Sequence, residues 1–249
     1  GNTASHNRLD GFLLQFIHGN TLKHNTASDN GNGGILLNSS SGNTLIGNRA
    51  HGNGTGFAVG SSDGNTLQGN RASGNDFSGF YFTQSDGNTL TGNTASDNGS
   101  SGFVLLVGSD DNTLKHNRAS DNGNNGFWLR FSEGNTLKGN IAAGNSGDGF
   151  HINGSDGNTL TGNRAIHNGG DGFRLDDSDN NTLTRNRAIH NEGNGFALVN
   201  GSDNNLLERN RAIHNDEWGF LVDAVLANMF DDNHCHGNGL GGSNQPGIC

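Results

Sequence analysis

Apolar side chains along this chain keep a register that repeats about every 23 residues. An apolar residue closes each Asn-Thr-Leu block at Leu22, Leu45, Leu67, Leu90, Leu114, Leu137, Leu160, Leu183, Leu207 and Phe230. Three residues after each stands an Asn, two later a small residue (Ala27 through Ala212, then Cys235), and three later a second Asn. Four or five residues on, Gly is followed by Phe or Ile, as in Phe103-x-Leu105, with the next apolar residue two positions away. A spacing of two puts alternate residues on one face of a strand, and no helical spacing of three and four appears. All length changes fall between these blocks: one residue is lost before Phe57, and one is gained before Leu114 and before Leu207. The gaps are therefore predicted to be turns.

A unit of short strands without a helix cannot bury its own apolar face and must stack on its neighbours. The predicted fold is all-β: a parallel β-solenoid of 10 to 11 coils over residues 1–249, roughly 50 Å long at the usual strand spacing. Phe and Leu columns form its core, with Ala expected where the coil bends. Two Asn columns are expected to act as side-chain ladders that satisfy turn backbone and to tolerate left-handed conformation there. Residues 231–249 read as an atypical capping coil. Cys235 and Cys249 both lie in it, which predicts a disulfide and an extracytoplasmic setting, with two free thiols as the alternative. No cap or signal peptide precedes Asn2, so the chain is expected to continue a longer protein or to stack end to end with another molecule.

Composition changes this picture little. With 43 Gly, 42 Asn and only 29% hydrophobic residues, an unpatterned chain would be disordered, but the strict repeat excludes that. The net charge is −10, and Lys and Arg are spread singly in the sequence, which argues against nucleic acid or an anionic membrane as the main partner. No apolar stretch is long enough to span a bilayer.

The pattern Asn-Thr-Leu-x-x-Asn-x-Ala-x-x-Asn, closed by Phe-x-Leu, resembles the right-handed parallel β-helix repeats of carbohydrate-binding and sugar-hydrolase proteins, a pectate-lyase-like solenoid. The resemblance covers nearly all of the chain and implies a right-handed coil, as does the general preference for right-handed crossovers. Pectate lyases, polygalacturonases, alginate epimerases and non-catalytic proteins share this repeat. The Asp-Pro-His-Glu motif of the epimerases and the Asn-Thr-Asp and Gly-His-Gly motifs of the polygalacturonases are absent, so neither mechanism carries over.

Function is expected where an outward column stops being monotonous. Beside the Phe column, Trp128, Arg130, His151, Asn153, Arg174 and Asp176 fall on three successive coils of one face. Tyr81 lies two coils before Trp128, about 10 Å away. Tyr81, Trp128, Arg130 and Asn153 suit a sugar chain, whose apolar faces stack on rings while its polar groups take hydrogen bonds. His151, Arg174 and Asp176 suit a uronate clamp with an acid/base pair. Three readings stay open: a binder of polysaccharide, acidic ones included; a polysaccharide lyase, hydrolase or epimerase-like enzyme; and a structural or surface-display rod with a plain solvated face. No cofactor is firmly expected. His167, His190 and His214 form a column that could chelate a transition metal, a role also raised by β-helix relatives linked to copper-site maturation, although duplication alone produces such a column. Acidic turn pairs such as Ser85-Asp86, Ser155-Asp156 and Asp176-Asp177 could hold calcium or simply cap turns. The outward Thr column, with Thr-Leu-Thr in three coils, invites comparison with ice-binding solenoids, but Thr also simply favours strands.

Overall fold

The computed structural model describes residues 1–223 and 227–249. Each coil contributes three short parallel strands, as in Thr89–Thr91, Thr94–Ser96 and Phe103–Leu106. We name the resulting sheets by their inward residue. The Leu sheet has ten strands, the Ala sheet eleven and the Phe sheet eleven, each strand pairing with its counterpart one coil away. The register keeps like above like: Leu90 pairs with Leu114, Ala95 with Ala119, Phe103 with Phe127. Among the described residues there is no helix, and the apolar columns form one continuous core.

The core is built by translation. Phe rings from Phe57 to Phe220 stack face to face, with centroids 4.7–4.8 Å apart. That distance is the strand spacing itself, so ring stacking and backbone pairing reinforce each other. Ala does not mark a bend, contrary to expectation. It occupies the middle of its strand, facing the Gly that precedes each Phe. A Cβ on Gly149 would stand 2.6 Å from that of Ala165 and 2.6 Å from the Gly172 carbonyl oxygen, so both positions must be small.

The sequence predicts two Asn ladders, and the structure has three. Asn117 donates to Leu90 O (2.9 Å) and Asn140 Oδ1 (3.1 Å), while its own Oδ1 accepts from Asn93 N (2.9 Å) and Asn93 Nδ2 (3.0 Å). The second expected column, Asn122 among it, behaves alike. The third uses the Asn of Asn-Thr-Leu: Asn65 N donates to Asn88 Oδ1 at 2.7 Å. A Ser ladder guards the fourth corner, with Ser155 N donating to Ser178 Oγ at 3.1 Å. The ladder Asn are not themselves left-handed. That conformation falls on the residue before each, such as His116 (φ 53°) before Asn117 and Gly92 (φ 63°) before Asn93. One left-handed residue turns the chain and the next aims its side chain inward, where it pairs the backbone that the turn would orphan.

At the C-terminal end Cys235 and Cys249 are joined by a disulfide. Ile248 does not extend the Phe column: Ser243 takes that rung beside Phe220, and Ile248 packs against the core. In the first coil Leu9, Leu13, Phe16 and Ile17 are exposed.

Candidate functional site

The outward face of the Phe sheet joins the residues singled out from sequence. Trp128 pairs with His151 and His151 with Arg174, while Arg130, Asn153 and Asp176 line up beside them. Tyr81 stands two rungs from Trp128, with the buried Val104 between them. On the far side the column closes with Ala197, also fully buried. The polar stretch is thus three rungs long and bounded by apolar ones.

A second column, missed in the sequence reading, completes this face. Asn125, Asp148, Asp171 and Asn194 stand two residues before each inward Phe. The intervening Gly faces inward over Ala, so the chain turns there and the residue before it returns to the same outer surface. These side chains form a polar ladder of their own. Asn125 Oδ1 accepts from Asp148 N (2.8 Å), Asp148 Oδ1 from Asp171 N (2.7 Å), and Asp171 Oδ1 from Asn194 N (2.7 Å). One oxygen of each aspartate is thus structural, and the other is left to the site.

Those second oxygens organise the cluster. Asp148 Oδ2 lies 3.1 Å from His151 Nδ1. Asp171 Oδ2 lies 3.3 Å from Arg174 Nη1, and Asp176 Oδ2 lies 3.1 Å from Arg174 Nη2. Asp176 Oδ1 accepts from Asn200 Nδ2 at 2.7 Å. In the tautomer that donates Nδ1–H to Asp148, the imidazole would carry its lone pair at Nε2. That nitrogen is buried without a partner, and so is Trp128 Nε1 on the adjacent rung.

Charge in the cluster is unevenly held. Burial, then the neighbouring Asp148 carboxylate, pushes Asp171 above the usual carboxylate range, and Asn194 and Arg174 offset this only in part. For Asp176 burial also works against ionisation, but hydrogen bonds from Asn200 and Arg174 outweigh it and hold its carboxyl below that range. Burial opposes the charge of Arg174, yet Asp176, Asp171 and Asp148 together raise it further above the usual guanidinium value. Arg174 is therefore engaged by the protein's own carboxylates. Arg130 is not. It is exposed and makes no ion pair among the described residues. Its Cζ sits 6.0 Å from the Trp128 ring centre and 5.1 Å from that of Phe131. Phe131, overlooked because it occupies a turn, is left-handed (φ 51°) and half exposed. Its ring lies over Gly154, where a Cβ would meet it at 2.6 Å. Gly154 is thus the seat of an aromatic platform.

The remaining candidates lie elsewhere. His167, His190 and His214 line the corner beyond the Ala sheet, with rings stacked at 5.1 and 5.2 Å. Parallel rings point their lone pairs side by side rather than at one centre, and no described His, Cys, Asp or Glu group is arranged to hold a metal. Asp86 and Asp156 accept backbone N–H groups of the next coil through Oδ1, at 2.9 and 2.8 Å. The Thr column faces outward on the Leu sheet, as in Thr136 and Thr159. Among the described residues no helix is long and apolar enough to cross a membrane.

Comparison with known proteins places this geometry. The chain is similar in structure to the A-module of the Azotobacter vinelandii mannuronan C-5 epimerase AlgE4, with a TM-score of 0.85 and 16% identity, covering 98% of this chain and 79% of that one. The periplasmic alginate epimerase AlgG gives 0.65 at 15% identity, covering 95% and 76%. The Streptococcus pneumoniae surface protein and adhesin PfbA gives 0.64 at 10% identity, covering 90% and 76%. At such identities the likeness is one of fold. A search of curated proteins returned no match. The family described as right handed beta helix region matches residues 1–142 and 107–248, and the chain belongs to that family.

Proposed function

We propose that this protein binds a polysaccharide along the outward face of the Phe sheet, in an extracytoplasmic setting. One observation carries the reading: Trp128, Arg130 and Phe131 set two rings around a guanidinium free of carboxylates, one rung from the His151 cluster. Rings of this kind stack on the apolar faces of sugars, and the free guanidinium takes a hydroxyl or a uronate carboxylate. The buried, partnerless Trp128 Nε1 supplies a donor that a ligand can satisfy after side-chain adjustment. Tyr81 extends the platform beyond Val104. The similarity in fold to alginate epimerases and to an adhesin supports a polysaccharide-related role. The disulfide supports an oxidising compartment.

A second reading, catalysis on a uronate polymer, is favoured by the Asp148–His151 pair. Asp148 fixes the imidazole so that Nε2 can take a proton, and Arg174 with Asp176 lies on the next rung. A base beside a cation is the minimum needed to remove a proton next to a uronate carboxylate.

The test is a glycan array that includes neutral and uronate polymers, followed by calorimetry. Trp128→Ala with Arg130→Ala should weaken binding by about tenfold or more, as loss of a ring and an arginine anchor does. Equal binding by this variant, or no glycan bound by the parent, overturns the reading. Incubation with uronate polymers separates binder from enzyme: new unsaturated or reducing ends, or C-5 inversion by NMR, lost in His151→Ala, mark catalysis.

A further inference from the structure

The basic residues are spread singly along the sequence but are stacked in space. The first outward column of the Ala sheet carries Arg49, Arg71, Arg118, Arg164, Arg187 and Arg211, which is six of the eleven arginines in the chain. All six are exposed, and none has an ion pair or side-chain hydrogen bond among the described residues. Neither outward column of this sheet contains an Asp or Glu in any coil, although the chain has 24 acidic residues. Asp29, Asp97 and Asp121 stand on the corner beyond. The acidic ladder through Asp63, Asp86, Asp110, Glu133, Asp156 and Asp179 runs along the corner between the Phe and Leu sheets. The surface is therefore sided in charge, despite the net −10.

A cleft of about 180 Å³ opens on this basic face, lined by Arg49, His51, Arg71, Ser73, Thr94 and Ser96. It offers two guanidinium groups, an imidazole and three hydroxyls, with no carboxylate.

We propose that the outward face of the Ala sheet binds a linear uronate polysaccharide lying parallel to the solenoid axis, with one carboxylate seated between Arg49 and Arg71. Three features select this occupant. Arginine takes six of the eight successive rungs from Arg49 to Arg211, with Thr94 and Ile141 at the other two, over roughly 34 Å at the strand spacing, which is close to the length of one sugar per rung and fits a polymer with a carboxylate on each unit. Arginine forks pair with carboxylates bidentately, and the Ser and Thr of the same columns suit sugar hydroxyls. The face has no Phe, Tyr or Trp on which nucleic-acid bases would stack. This site shares no residue with the Phe-sheet platform and does not depend on it.

The experiment is calorimetric titration of the full chain with a long oligouronate at low and moderate salt. The triple variant Arg164→Gln, Arg187→Gln, Arg211→Gln removes three exposed charge contacts, each worth a factor of a few, and should weaken binding by about tenfold or more. It should also flatten the salt dependence. The double variant Arg49→Gln, Arg71→Gln should weaken binding to a lesser degree, and circular dichroism should show both variants folded, since these side chains are exposed and make no ion pair or side-chain hydrogen bond among the described residues. Trp128→Ala should leave this component unchanged. If Trp128→Ala alone abolishes binding while both arginine variants bind as the parent does, the inference fails and the Phe-sheet reading stands. If only the arginine variants lose binding, the reverse holds. Absence of oligouronate binding at low salt, or tighter binding of a sulfated glycan or of duplex DNA, also overturns it.

Discussion

Arg164 and Arg174 occupy the same coil, each at the outward position next to an inward residue of its strand, yet their surroundings are opposite. Arg174 is gripped by Asp171 and Asp176 at 3.3 and 3.1 Å, whereas Arg164 has no acidic partner among the described residues. The difference does not come from the strands, which are both short and both paired with the coils above and below. It comes from what the flanking columns hold. Beside Arg174 an Asp/Asn ladder is required to satisfy the backbone at the glycine turn, and its spare oxygens neutralise the arginine. Beside Arg164 the flanking columns hold Ile, His, Lys and Thr. A charge built into the frame orders a site, and a charge outside it remains available to a partner.

The largest disturbance would be to the core that both faces share. Phe150→Ala should cost about 3–5 kcal/mol, because the stacked column cannot close over the gap. Urea denaturation should show this loss, with ligand binding impaired on both faces. Next, Arg174→Ala should cost about 2 kcal/mol, less than the loss of a fully buried pair because the side chain is 29% exposed. Arg164→Ala should stay within about 0.5 kcal/mol, as surface changes usually do. Equal costs at the two arginines would break the comparison.

The pH dependence should be a smaller effect with a definite sign. Asp171 is raised above 3.8, so the stability it contributes is present at low pH and is lost as pH rises from that value through its folded value. Asp176 is lowered, so its contribution is present above 3.8 and is lost as pH falls through its folded value. Asp171→Asn keeps the Oδ1 acceptor for Asn194 and removes the first effect only. Its stability relative to the parent should therefore climb as pH rises from about 4 and level off above the folded value of Asp171; a flat or falling difference in urea melts would refute the assignment.

The face carrying Trp128, His151 and Arg174 was legible because parallel stacking turns an offset of one repeat into one strand spacing. Asp148 and Asp171 were not, because they lie outside the strand pattern and reach the face only through a glycine turn. A signal was nonetheless present: the residues two before Phe80, Phe103, Phe127, Phe150, Phe173 and Phe196 read Ser78, Ser101, Asn125, Asp148, Asp171 and Asn194, all carrying a short side-chain acceptor. Phe131 was hidden for a similar reason, since a turn residue has no assigned face until its left-handed φ and its Gly154 seat are known.

By itself the sequence determined the coil, the inward columns and which side chains stack, because a strict repeat leaves backbone pairing only one register that buries the repeating Phe, Leu and Ala columns at once. Only the tertiary structure decided which charges are spoken for. Ion pairing depends on contacts of a few ångströms across corners, and arginines spread singly along the chain fall into one column, broken only by Thr94 and Ile141 between Arg49 and Arg211, when the coils are laid one on another.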